Sequence, residues 1–129
     1  MGIRAFATLV FISPLAGAYA AQTSDVVFDI YYKERGDIVE QATATLAFGA
    51  ISKVTLRSGT TVEVAAGAPG PDGNSTLRVD FGGPEVPNYP SRRVGDLRSD
   101  LSKPHRPSFV LQLPDKRDVT VIVRAADKQ

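Results

Sequence analysis

The sequence predicts an all-β protein: a single antiparallel β-sandwich, or small open barrel, of about seven strands, preceded by a cleaved signal peptide. Three observations predict it. Apolar residues recur with a period of two rather than 3.6. Turn-forming residues separate the runs at short intervals. The alternation starts only after a twenty-residue N-terminal stretch of different character.

That stretch is Met1 to Ala20. Arg4 supplies one positive charge, and Ala5 to Ile12 (AFATLVFI) form an apolar core. Ser13, Pro14 and Gly17 break a helix, and Ala18-Tyr19-Ala20 gives the small-x-small pattern that signal peptidase accepts. The apolar run is shorter than the roughly 20 residues a membrane helix needs. The expected localisation is therefore periplasmic or extracellular, with cleavage after Ala20 and a soluble domain over residues 21–129. The chain has no cysteine. Lipid attachment through Cys, disulfides and thiolate metal sites are excluded, and a bacterial source is favoured because small eukaryotic secreted domains often rely on disulfides.

The alternating runs follow in order. Val26, Phe28, Ile30 and Tyr32 share one face of the first. Ile38 to Phe48 holds a less regular strand, with Thr43, Thr45 and Leu46 suited to β structure. Val54 and Leu56 alternate with Lys53, Thr55 and Arg57; Val62 and Val64 alternate with Thr61 and Glu63. Leu77, Val79 and Phe81 form a fifth run, Phe109, Leu111 and Leu113 a sixth, and Val119, Val121 and Val123 a seventh. Each pattern describes a strand with one face on a core and one towards water. Arg35-Gly36-Asp37, Ser58-Gly59, Pro69 to Asn74 and Pro114 to Arg117 are the turns between them.

The segment 82–107 breaks the pattern. It carries Pro84, Pro87, Pro90, Pro104 and Pro107, and reads as a long Pro/Arg-rich loop. Leu97 and Leu101 are four apart, so a helical turn capped or begun by Asp96 is one expectation for part of it.

This loop is also the sharpest functional feature. Between Ser91 and Pro107, Arg92, Arg93, Arg98, Lys103 and Arg106 are opposed only by Asp96 and Asp100. The 15 basic and 14 acidic residues of the chain balance once Arg4 is removed, so the positive charge of a neutral protein is concentrated here. Nothing global marks a nucleic-acid binder. Arginine forks suit carboxylates and phosphates, and Tyr89 adds an aromatic of the kind interfaces favour. The expected binding residues are Tyr89, Arg92, Arg93, Arg98, Lys103 and Arg106. The expected partner is another exported or envelope protein with an acidic surface. The competing expectation is a solvated loop whose arginines pair with Asp96, Asp100 and Glu85.

Other candidates carry weaker chemistry. His105 is the single histidine. It lies in the basic, proline-locked run Lys103 to Pro107 and lacks an orienting carboxylate nearby in sequence. No G-x-S-x-G elbow is present, so a small hydrolase centred on His105 is the weakest alternative, and no catalytic residue, metal or cofactor is expected. Arg35-Gly36-Asp37 matches the tripeptide of integrin ligands, but the turn explains it. Asp72 to Thr76 resembles the start of a calcium loop without its glycine and distal glutamate. Asp96 and Asp100 would share a helical face, where salt bridging is more economical than acid–base catalysis. Finally, Val26 to Tyr32 lies close to the cleavage point, which raises the alternative of a structural subunit assembling by strand exchange. Internal pairing with Ile38 to Phe48 is the simpler expectation.

Overall fold

A computed structural model describes residues 24–127. The signal-peptide assignment falls outside these described residues. Eight strands and one helical turn follow in chain order: β1 (Val26–Glu34), β2 (Asp37–Leu46), β3 (Ile51–Thr55), β4 (Thr61–Ala66), β5 (Ser75–Gly82), α1 (Pro90–Arg93), β6 (Val94–Ser99), β7 (Ser108–Leu113) and β8 (Arg117–Ala125). They form two antiparallel four-stranded sheets, ordered β2-β1-β8-β7 and β3-β4-β5-β6.

The period of two does the work expected of it. Val26, Phe28, Ile30 and Tyr32 from β1 and Val119, Val121 and Val123 from β8 point inward from the first sheet. Val62, Val64 and Ala66 from β4 meet them from the second, with Leu77, Val79 and Phe81 from β5. All belong to one apolar cluster, so the sheets pack face to face in a β-sandwich-like arrangement. Burying each such valine, leucine or phenylalanine contributes about 1.5–3 kcal/mol. No helix among the described residues is long and apolar enough to cross a membrane.

β1 pairs with β2 on one side and β8 on the other. The pairing with residues 37–46 agrees with the internal pairing expected. It also leaves β1 no free edge for a neighbouring chain to take. The β1–β2 connection is a two-residue turn with Arg35 and Gly36 both at positive φ (52° and 87°). That is the backbone of a primed hairpin turn, which matches the strand twist and needs glycine or a tolerant residue. The Arg-Gly-Asp tripeptide is therefore this hairpin tip. Two residue pairs from the turn, the register slips between Tyr32 and Lys33. Val39 is the extra residue, a β-bulge that bends the edge strand β2.

The structure corrects the reading of segment 82–107 and the count of about seven strands. The segment is not one long loop. It holds α1 and the eighth strand, β6, which pairs with β5 from Ser75↔Ser99 to Asp80↔Val94. The expected helical turn at Leu97 and Leu101 is absent: Leu97 and Asp96 are strand residues, and the single helical turn lies upstream, with Pro90 at its first position. Leu97 and Leu101 invited the 3.6 period, but β6 is an edge strand held by its backbone ladder, so it needs no alternating apolar face. Asp96 is opposite Arg78 and bonded to it at 3.2 Å. It therefore neither caps a helix nor shares a helical face with Asp100.

Two connections cross between the sheets, residues 47–50 and residues 100–107. Both lie at the end of the sandwich where Val26, Leu46 and Ala125 meet. The hairpin tips at 35–36 and 114–116 lie at the opposite end, together with segment 83–93. There, Arg117 donates to Glu85 (2.6 Å) and to the Tyr32 hydroxyl (3.0 Å). This clamp ties the segment after β5 to the other sheet.

Candidate functional site

The six expected binding residues do not form one patch. β6 spans six residues, about 17 Å of extended chain, and the basic side chains divide between its two ends. Tyr89, Arg92 and Arg93 lie where α1 leads into β6. Lys103 and Arg106 lie in the crossing that leaves it. Arg98 sits between them on the strand.

Each cation has a distinct setting. Arg98 is occupied: its Nη2 donates to both Asp72 oxygens at 2.8 and 3.0 Å, and Nη1 to Thr76 Oγ1 at 3.3 Å. Asp72 also accepts the Asn74 backbone N–H at 3.0 Å. That bond first, and Arg98 second, hold the Asp72 carboxyl below its ordinary range. Asp72-Gly73-Asn74 is thus a turn stapled to β6. No cluster of three or more acidic, His or Cys ligands for a metal occurs among the described residues.

The competing expectation, that the loop's arginines are neutralised by Asp96, Asp100 and Glu85, fails on geometry. Asp96 bonds Arg78. Glu85 bonds Arg117. Asp100 accepts the Ser102 N–H at 2.9 Å and the Ser102 hydroxyl at 2.6 Å, and the hydroxyl bond, ahead of the backbone bond, lowers its pKa. Among the described residues, Arg92, Arg93, Lys103 and Arg106 therefore make no ion pair. Arg92, Lys103 and Arg106 are exposed, and Tyr89 is 66% exposed. Arg93 is partly buried, with its Nε enclosed and without a hydrogen-bond partner.

The crossing end carries the more enclosed geometry. Leu101 and Lys103 to Arg106 form one wall of a cleft of about 190 Å³, and Arg124, Ala125 and Asp127 form the other. Arg124 lies at the end of β8. Its Nε donates to Asp29 of β1 at 2.8 Å, and Asp29 also accepts the Thr43 hydroxyl of β2 at 3.2 Å. The Asp29 bond raises the Arg124 pKa above the ordinary arginine value. Three strands thus fix one guanidinium beside the loop. Sequence reasoning missed Arg124 because it lies about twenty residues downstream of the loop. The available signal was Asp29, an acid inside an otherwise apolar strand.

His105 also lines this cleft, and its Nε2 is 3.3 Å from Ser99 Oγ. A hydroxyl and a cleft beside a histidine are the elements a hydrolase would need. Here they are arranged otherwise. Ser99 is 6% exposed and is not among the residues that line the cleft. The contact steadies the crossing segment against the end of β6.

No protein-family model, curated protein sequence or solved structure matches the chain.

Proposed function

We propose that the chain is an exported, non-catalytic binding module that contacts an acidic partner through the basic side chains of residues 89–106. The observation that carries this reading is the set of four cations, Arg92, Arg93, Lys103 and Arg106, that make no ion pair among the described residues. The acidic residues nearest in sequence are committed to Arg78, Arg117 and Ser102. Solvent-facing arginines left unpaired on a rigid scaffold are suited to fork-like contacts with carboxylates. Arg98 leaves the set, because its guanidinium is already engaged by Asp72.

The strand-exchange alternative draws less support, because β1 is hydrogen-bonded along both edges. Freeing it would dismantle the ladders on either side.

The test uses a fluorescent acetyl-hexaglutamate-amide peptide and the purified chain. Binding should be measurable by anisotropy at low salt and should weaken as salt rises through the Debye range. Replacing Arg92, Arg93, Lys103 and Arg106 together by alanine should weaken it at least tenfold, whereas Arg98→Ala should change it less than twofold. Absence of binding at low salt, or equal effects of the two variants, would refute the proposal.

A further inference from the structure

Resting on that reading, we infer that the cleft between residues 101–106 and 124–127 seats a single carboxylate from an acidic side chain of the partner. The cleft is built from two separate chain segments that converge on one space. Lys103 and Arg106 approach from the crossing, and Arg124 from the end of β8. Arg124 is held from behind. Its Nε is used by Asp29, a residue only 8% exposed, and its terminal Nη groups carry no hydrogen bond among the described residues. They remain available as a donor pair on a guanidinium that needs no further ordering, which is the arrangement that favours recognition of a planar carboxylate.

Charge disfavours a dianion. Lys103 and Arg106 line one wall of the cleft, and Arg124 and Asp127 the other. Asp29 balances Arg124 from the β1 side. Asp100 is hydrogen-bonded to the Ser102 N–H and hydroxyl and keeps its charge close to Lys103. Three cations thus stand beside three acids, a near-balance that suits a singly charged carboxylate better than a dianionic phosphate. Size agrees: about 190 Å³ is below the roughly 300–1,000 Å³ of small-molecule pockets and suits one side-chain group entering from a larger surface. His105 shapes the wall, anchored by its contact with Ser99.

The experiment is an amide-resolved NMR titration of the full chain with three five-residue peptides, acetyl-Gly-Gly-X-Gly-Gly-amide, with X as Glu, Gln or phosphoserine. The Glu peptide should shift amides at 103–106 and 124–127, and the Gln peptide should not. Arg106→Ala and Lys103→Ala, both at exposed positions, should each weaken Glu-peptide binding roughly fivefold. Lys53→Ala, on the outer face of the other sheet, should leave it unchanged. Equal responses to Glu and Gln would overturn the inference, as would phosphoserine binding more than tenfold tighter than Glu. If hexaglutamate binds but shifts only residues 89–93, the cleft assignment fails and the broader reading survives. If neither Glu peptide binds, both fall.

Discussion

Gly95 offers the sharpest test of the packing that brackets the cleft. It lies in β6 opposite Val79, and the ring of Phe109, at the start of β7, rests against it. A Cβ at position 95 would stand 2.6 Å from Phe109 Cδ2 and 3.0 Å from Cε2. Ordinary carbon contacts are about 3.5–4.0 Å, so Gly95→Ala drives the ring back by roughly 1 Å. Phe109 is partly buried against the apolar cluster, so its retreat disturbs that contact. Overpacking of this kind costs about 1–3 kcal/mol, offset in part by the roughly 0.5–1 kcal/mol that alanine gains over glycine in a strand. The net loss is about 1–2 kcal/mol, which lowers Tm by roughly 5–15 °C in a domain of this size. Urea unfolding followed by far-UV circular dichroism reads it directly. On a Phe109→Leu background the clash disappears, and Gly95→Ala should become neutral or stabilising. Additivity of the two substitutions within about 0.5 kcal/mol would refute the packing argument.

Three further outcomes follow from the same geometry. Asp72 and Asp100 have folded-state pKa values below their unfolded ones, so their stabilising contribution is present above the unfolded aspartate pKa of about 3.9 and fades as pH falls through the lower folded values. Asp72→Asn should therefore lower Tm at pH 7 and flatten the acid limb of the stability profile; an unchanged limb sinks the assignment. Glu85→Gln should loosen the clamp with Arg117 and Tyr32 and speed hydrogen exchange at residues 84–93 while leaving the core strands protected; uniform acceleration would mean the clamp has no local role. Because the basic clusters are separated by about the length of β6, oligoglutamate affinity should step up once a peptide is long enough to touch both, at roughly six to eight residues. A smooth rise with charge number would argue against two separate contact points.

The strands legible in the sequence are those whose inward side chains are fully buried. Phe28 and Ile30 in β1, Leu77 and Val79 in β5, and Val119 to Val123 in β8 announce themselves because alternation and burial coincide. β6 was not legible. It is an edge strand whose Asp96, Leu97 and Arg98 are all exposed, so no apolar alternation marks it. What holds it is a backbone ladder with β5 and the side-chain bonds Arg78–Asp96 and Arg98–Asp72, which appear only once the register is known. The same reason limits what could be read of the candidate site. A charge count found the basic segment, but the partners of each charge depend on which strands lie side by side. Arg98 looked equivalent to Arg92 in sequence and is not equivalent in space.

Under the proposed binding role, the placement of that segment lowers the cost of binding. A loop that orders only on contact loses the conformational entropy of its backbone as well as that of its side chains. Here both halves of the backbone are already tethered to the opposite sheet. Residues 83–93 are fixed through Glu85 to Arg117 and Tyr32. The crossing at 100–107 is fixed by the Pro107 carbonyl accepting from Val123, by the Ser99–His105 contact, and by Phe109 lying over Gly95. Between them, Arg98 and Asp72 cancel one another on the strand. The sandwich therefore presents two basic points on tethered backbone with a neutral stretch between them, rather than a continuous basic band. Under the proposed binding role, such spacing would discriminate by geometry: a partner whose carboxylates match both points would engage twice on one scaffold, and a partner of equal charge with the wrong spacing would engage once.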